Sequence, residues 1–204
     1  MAKSRIDWRL LLGILISHIL LYYTFDHTKV FWYLMTGTMF LLVAYAIWTE
    51  EIDDELSLAK YLFYGIISGV ILYTVFWLAY FLMETFQLTS FLRQVERLYR
   101  TFSPQHIWHY IVLVLIIIPG EEFFFRGFIQ KRLMHHTKMW TSIILSTLLY
   151  ASVQIYAGSL LLILAAITGG LVWGYLYAKM KSLPLVIISH LVFDLFLLII
   201  LPLR

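Results

Sequence analysis

The sequence predicts an all-α polytopic membrane bundle of about seven transmembrane helices plus one amphipathic helix lying in the interface. Three observations predict it. Hydrophobic residues fill 62% of the 204 positions and charged residues only 13%, against roughly a quarter charged in soluble domains. The apolar residues gather in runs of about 20, the length that crosses the hydrocarbon of a bilayer. A more polar stretch, 84–106, repeats its apolar residues every three to four positions.

Taken in order, the chain opens on a basic segment, Met1 to Arg9, that leads into an apolar run without a small-residue cleavage site. The first span is therefore expected to be retained and not removed as a signal peptide. Spans are predicted at 9–25, 30–49, 60–83, 107–130, 139–157, 160–179 and 184–203. An odd number of spans puts the termini on opposite sides. With the N-terminus cytoplasmic, the inner face collects Lys3, Arg5, Arg9, Lys60, Lys131, Arg132, Lys138, Lys179 and Lys181. The outer face holds Lys29, Arg93, Arg97, Arg100 and Arg204. That bias predicts an integral membrane protein with its N-terminus cytoplasmic. The acidic loop from Glu50 to Glu55 runs against it, although acidic residues carry little topological weight.

In the stretch 84–106, Leu92, Val95, Leu98, Tyr99 and Phe102 share one side, with Arg93, Arg97 and Arg100 on others. This is the pattern of an interfacial helix, either a plain linker or a gate over a cavity. Gly65/Gly69 and Gly170/Gly174 have the four-residue spacing that lets membrane helices approach. Trp8, Trp48, Trp108, Tyr110, Trp140 and Tyr177 sit near span ends as interfacial anchors. The absence of cysteine excludes disulfides, thiol nucleophiles and thiolate metal sites. The net charge of +3 lies in loops and speaks to orientation, not to nucleic acid.

Ionisable residues inside spans are costly, roughly 2.5–3.5 kcal/mol each on insertion scales, and mark functional sites. Glu121, Glu122 and Arg126 stand in a run that is otherwise almost wholly apolar. On a helix Glu122 and Arg126 face one another as an i,i+4 ion pair, while Glu121 is rotated about 100° away and free to enter a cavity. Neutralisation for insertion accounts for one glutamate, not two. His190 and Asp194 in the last span share a face in the same way. His190 lies about six residues inside the cytoplasmic end, a depth similar to that of the glutamates, so the two polar faces are expected to meet. His18 and His109 read as hydrogen-bonded packing residues. Gln154, in Tyr150-Ala151-Ser152-Val153-Gln154, reads alone as a polar helix-packing residue. Counted from Lys138 it falls deeper than the other clusters, so joining them requires tilt, a later helix start or a broad cavity.

Glu121-Glu122-x-x-x-Arg126 resembles the first motif of the CAAX protease and bacteriocin-processing family, the glutamate-dependent intramembrane proteases also called Abi proteins. His190-x-x-x-Asp194 resembles its last motif. Tyr150-x-x-x-Gln154 matches the middle motif, an aromatic residue and then a His, with Gln in place of the His. The resemblance covers about 107–203, implying a catalytic core at 107–204 behind an N-terminal part at 1–106. It implies a bacterial-type intramembrane endopeptidase of the plasma membrane that cleaves a membrane-associated protein or peptide near the cytoplasmic face. In that mechanism Glu121 is the general base, and His190 and Asp194 stabilise the oxyanion. Glu122 and Arg126 hold the helix and tune the field, and Gln154 occupies the place of a second base. No cofactor is expected, and a divalent metal is disfavoured by the single site imidazole. Because Gln cannot accept a proton near neutral pH, a non-cleaving scaffold, regulator or bacteriocin-immunity protein stands as the alternative. A proton-coupled transporter using Glu121 and His190 is a third reading, opposed by the absence of inverted repeats.

Overall fold

The computed structural model describes residues 7–203. Lys3, Arg5 and Arg204, counted in the charge asymmetry, lie outside the described residues. Asp7 caps the first helix, α1 (Trp8–Asp26), by accepting a hydrogen bond from the Leu10 amide at 3.0 Å. A short 3₁₀ turn leads to α2 (Phe31–Thr49), and α3 (Leu58–Thr85) follows an extended acidic loop. The amphipathic helix α4 (Thr89–Phe102) precedes α5, which runs over 107–136. The chain continues through α6 (Met139–Val153) with a 3₁₀ end at Gln154–Ala157, α7 (Leu160–Met180) and α8 (Leu183–Leu195) with a π turn at Phe196–Ile200. The protein is an all-α membrane bundle. Six helical runs are long and apolar enough to cross a membrane, and α5 adds a further run of membrane-crossing length.

The predicted spans recur with one consequential difference. Helix α5 continues to His136, six residues beyond the predicted end at 130. It is also irregular, with π geometry at Leu113–Ile117 and again at Phe123–Gln130. Pro119 gives a physical reason for the first of these. Having no amide hydrogen, it leaves carbonyls of the preceding turn without their usual partner, and the turn widens. The two glutamates occupy the short α segment Ile118–Glu122 between the π stretches. π turns of this kind recur at functional sites.

Glycines let the site-bearing helices approach. A Cβ on Gly69 would lie 2.5 Å from the Ser189 carbonyl oxygen, and one on Gly65 would lie 2.8 Å from Ile188 Cγ2. Helix α3 therefore lies against α8 almost backbone to backbone, the close approach that the Gly65/Gly69 spacing predicts. Gly170 likewise receives Thr147 of α6. Between α5 and α7, buried Gln130 donates to the Gly174 carbonyl at 2.7 Å and accepts from Ser146 at 3.3 Å.

At one end of the bundle the acidic loop meets the basic turn of α5. Lys131 pairs with Asp53 at 2.7 Å, and Arg132 pairs with Asp7 and with Glu50. The loop also covers the α7–α8 turn: Leu183 donates to the Asp53 carbonyl at 2.8 Å and Ser182 Oγ to Asp54 at 3.0 Å. Asp53 and Glu50 are thus counterions of α5, a physical reason for acidic residues at the more basic end. At the opposite end α4 lies over the bundle. Its buried Tyr99 donates to the Leu197 carbonyl at 2.6 Å and accepts from the Leu203 amide at 3.0 Å.

Candidate active site

Helix α5 projects its two glutamates in different directions. Glu122 is fully buried and its Oε1 accepts from Arg126 Nη1 at 3.0 Å. The same oxygen lies 2.7 Å from His190 Nδ1, delivered by α8. One carboxylate oxygen thus ties α5 to α8. Among the described residues Glu122 Oε2 and Arg126 Nη2 have no hydrogen-bond partner, so the ion pair is single and not forked. The guanidinium lies 4.7 Å from the Tyr150 ring centre and 5.4 Å from that of Trp173, both within cation–π range.

Glu121 turns toward a cavity of about 470 Å³. Its Oε2 accepts from Tyr150 Oη at 2.9 Å and lies 4.0 Å from His190 Nε2. That same Nε2 stands 3.7 Å from Asp194 Oδ2. The imidazole is stacked on the Trp173 indole, centroids 3.8 Å apart, which fixes the ring plane. Trp173 in turn donates to Ser189 at 3.2 Å. His190 therefore presents one nitrogen to buried Glu122 and the other to the space between Glu121 and Asp194. Glu121, Gln154, His190 and Asp194 all line the cavity, whereas Glu122 and Arg126 stand behind it.

The depth problem posed by Gln154 disappears once α5 is followed to its end. Glu121 lies 15 residues from His136, and Gln154 lies 15 residues from Met139, across the turn that joins α5 to α6. The two are level because each chain direction climbs the same distance. Gln154 begins the 3₁₀ end of α6 and is 6% exposed, and its side-chain amide makes no hydrogen bond among the described residues. All six predicted site residues thus come to one place, with Gln154 joined through the cavity and not by direct contact.

Two contributors were not singled out from sequence. Tyr150 is visible there only as the aromatic residue of the middle motif, and its hydroxyl was given no partner. Trp173 lies well inside its span, unlike the tryptophans near span ends, and is flanked by Gly169, Gly170 and Gly174. That placement is the signal it carries. His18 holds Tyr156 at 2.8 Å and Ser152 at 3.2 Å, and His109 stacks on Trp32 at 4.5 Å. Both sit outside the glutamate cluster.

The rest of the cavity is apolar and aromatic. It is lined by Phe25, Phe31 and Trp32 from the α1–α2 turn, by Val95, Leu98 and Phe102 from α4, and by the far ends of α3, α7 and α8. It therefore extends toward the α4 end, away from the end that carries Lys131 and Arg132. Among the described residues, no group of three or more His, Cys, Asp or Glu side chains is placed to hold a metal ion.

Residues 103–196 match a family model, Rce1-like, described as type II CAAX prenyl endopeptidase Rce1-like. The matched segment runs from the end of α4 to the end of α8 and contains every residue of the cluster. No curated protein and no solved structure matches the chain.

Proposed function

We propose, for a chain whose residues 103–196 belong to the Rce1-like family of CAAX prenyl endopeptidases, that the protein hydrolyses a peptide bond of a membrane-associated protein or peptide. The observation that carries the reading is the meeting of Glu121, His190 and Asp194 on one cavity wall, with the Glu122–Arg126 pair behind it. Glu121 Oε2 is held by Tyr150, while Oε1 has no hydrogen-bond partner among the described residues and is available to a water molecule. Glu121 removes a proton from that water as its oxygen attacks the scissile carbonyl carbon. The carbonyl oxygen gains negative charge and accepts hydrogen bonds from the Nε2–H of a protonated His190 and from the Gln154 amide. The C–N bond then breaks, and Glu121 returns the proton to the leaving nitrogen. Glu122 and Arg126 act at one remove, since Glu122 Oε1 holds His190 Nδ1 and so aims Nε2 at the cavity. The route uses no metal ion.

A second reading keeps the binding and drops the cleavage. It is favoured by Gln154, whose amide orients water without taking its proton. In that case the cavity holds a partner segment intact.

Reconstitution in vesicles with membrane proteins extracted from the host, followed by mass-spectrometric identification of new N-termini, separates the two. New termini with wild type, in the presence of EDTA and not with Glu121→Gln, support the peptidase. Identical termini with both proteins would favour the binding reading.

A further inference from the structure

We infer that Tyr150 is a positioning residue for Glu121, holding one carboxylate oxygen so that the other faces the reacting water. The inference rests on the peptidase reading for its purpose, though not for its geometry. Tyr150 Oη donates to Glu121 Oε2 at 2.9 Å, and among the described residues no other side chain is hydrogen-bonded to Glu121. His190 Nε2, the next polar atom, stands at 4.0 Å from the same oxygen. The phenol is buried, with its ring edge-on to Phe125 at 4.8 Å.

The chemistry of the neighbourhood strengthens that donor. The Arg126 guanidinium carbon lies 4.7 Å from the Tyr150 ring centre. A cation over the ring face draws electron density from the phenol and makes its O–H a better donor. A hydrogen bond to a charged acceptor contributes more than a neutral one, and it favours the ionised carboxylate over the acid. Tyr150 and Gln154 are separated by one turn of α6, so the helix that lacks an imidazole at the cavity supplies a hydroxyl one turn earlier. The phenol does not replace the missing base. It keeps the remaining one oriented.

The test reads the state of the carboxyl without needing turnover. Dicyclohexylcarbodiimide reacts with protonated carboxyls in apolar surroundings, and its adduct at Glu121 is quantified by peptide mass spectrometry on the full chain in vesicles. The pH is set where wild-type labelling is well below its plateau, and Glu121→Gln supplies the blank. Tyr150→Phe is expected to raise labelling about tenfold, while Leu98→Ala, at a residue that lines the cavity from α4 and has no part in the chemistry, stays at the wild-type level. Equal labelling in Tyr150→Phe and wild type overturns the inference. So does an equal rise in both variants, which would report wider access to the cavity. Tyr150→Phe keeps the ring contacts with Phe125 and Arg126, so a melting temperature close to wild type is expected and is measured alongside. If peptide cleavage is also observed, Tyr150→Phe lowers kcat about tenfold and leaves KM unchanged. Failure of cleavage in every protein, with the labelling difference intact, refutes the peptidase reading and not the placement of Tyr150.

Discussion

His190 reaches from α8 to Glu122 on α5, with Nδ1 2.7 Å from Oε1, and this contact fixes the direction of the cavity-facing nitrogen. Glu122 also carries Arg126 at 3.0 Å and is fully buried. Removing one partner of a buried charge pair leaves an uncompensated charge, at a loss of roughly 3–5 kcal/mol. Arg126→Met is therefore expected to lower the melting temperature markedly and to abolish any cleavage. Glu121→Gln, whose residue borders the cavity and has no ion-pair partner on its own helix, is expected to abolish cleavage with little change in melting. Thermal unfolding of the purified protein in one detergent distinguishes the supporting Glu122–Arg126 pair from the cavity-facing Glu121. A similar fall in melting temperature for both variants would remove the division of labour between support and chemistry.

The approach of α3 to α8 gives a second prediction. A methyl on Gly69 meets the Ser189 carbonyl oxygen at 2.5 Å, a backbone atom that no rotamer change can clear. Ser189 precedes His190 and accepts from Trp173, on which the imidazole is stacked. Gly69→Ala is thus expected to destabilise by roughly 1–3 kcal/mol, in the range of overpacked cores, and to reduce activity through His190. Gly37 is the control, since a methyl there meets nothing within 4 Å. Gly37→Ala is expected to leave both properties unchanged.

Much of this arrangement was legible in the residues themselves. Composition and run length identify a membrane bundle because burial in lipid demands long apolar helices, whatever their packing. The rotation between Glu121 and Glu122 follows from helix geometry, and it separates cavity from support in the structure. The level of Gln154 was not legible. Lys131 and Arg132 look like a span end because they are charged, yet the helix runs on to His136, where Asp53, Asp7 and Glu50 accompany those charges. Long-range counterions of this kind leave no local signature. The Tyr150 hydroxyl was hidden for a similar reason: an aromatic residue in a span reads as packing until a carboxylate 29 positions away is placed beside it.

The ionic end predicts a loss of stability in acid. Burial acts to raise the pKa of Asp53, but the hydrogen bonds from Lys131 and Tyr177 outweigh it and hold the carboxyl below its ordinary value. Asp7 is lowered likewise, against burial, by Arg132 and the Leu10 amide. Groups with depressed folded pKa values stabilise fully above their unfolded value, about 4, and lose that contribution as the pH falls through the folded one. Melting temperature is expected to be flat from neutral pH to about 5 and to fall below about 4. Asp53→Asn should lower the plateau and flatten the fall. An unchanged pH profile in Asp53→Asn would deny this carboxylate its role.

Orientation follows from a chain that contains no cysteine, so single cysteines report without background. We propose that Lys138, at the Lys131–Arg132 end, is cytoplasmic and that Arg97 on α4 is outside, which places the cavity mouth at the outer face. In intact cells Arg97→Cys should react with a membrane-impermeant maleimide, and Lys138→Cys should react only after permeabilisation. The reverse pattern would put the α4 end inside and assign the cavity to substrates arriving from the cytoplasm.

Gln154 is the position where the chemistry of this chain departs from the motif it resembles. It borders the cavity at the level of Glu121, and its side-chain amide makes no hydrogen bond among the described residues. An imidazole there can share the proton that Glu121 otherwise carries alone. General-base assistance is worth about 10²–10⁴-fold where it is complete, and a transplanted base without tuned partners should reach the lower part of that range. Gln154→His is accordingly expected to raise the rate of appearance of new N-termini by roughly 10–10²-fold. Gln154→His combined with Glu121→Gln should remain inactive, because the added imidazole assists the carboxylate and does not replace it. Activity in the double variant would transfer the role of base from Glu121 to the middle of α6. No gain in the single variant would mean that the amide is already suited to what the cavity does.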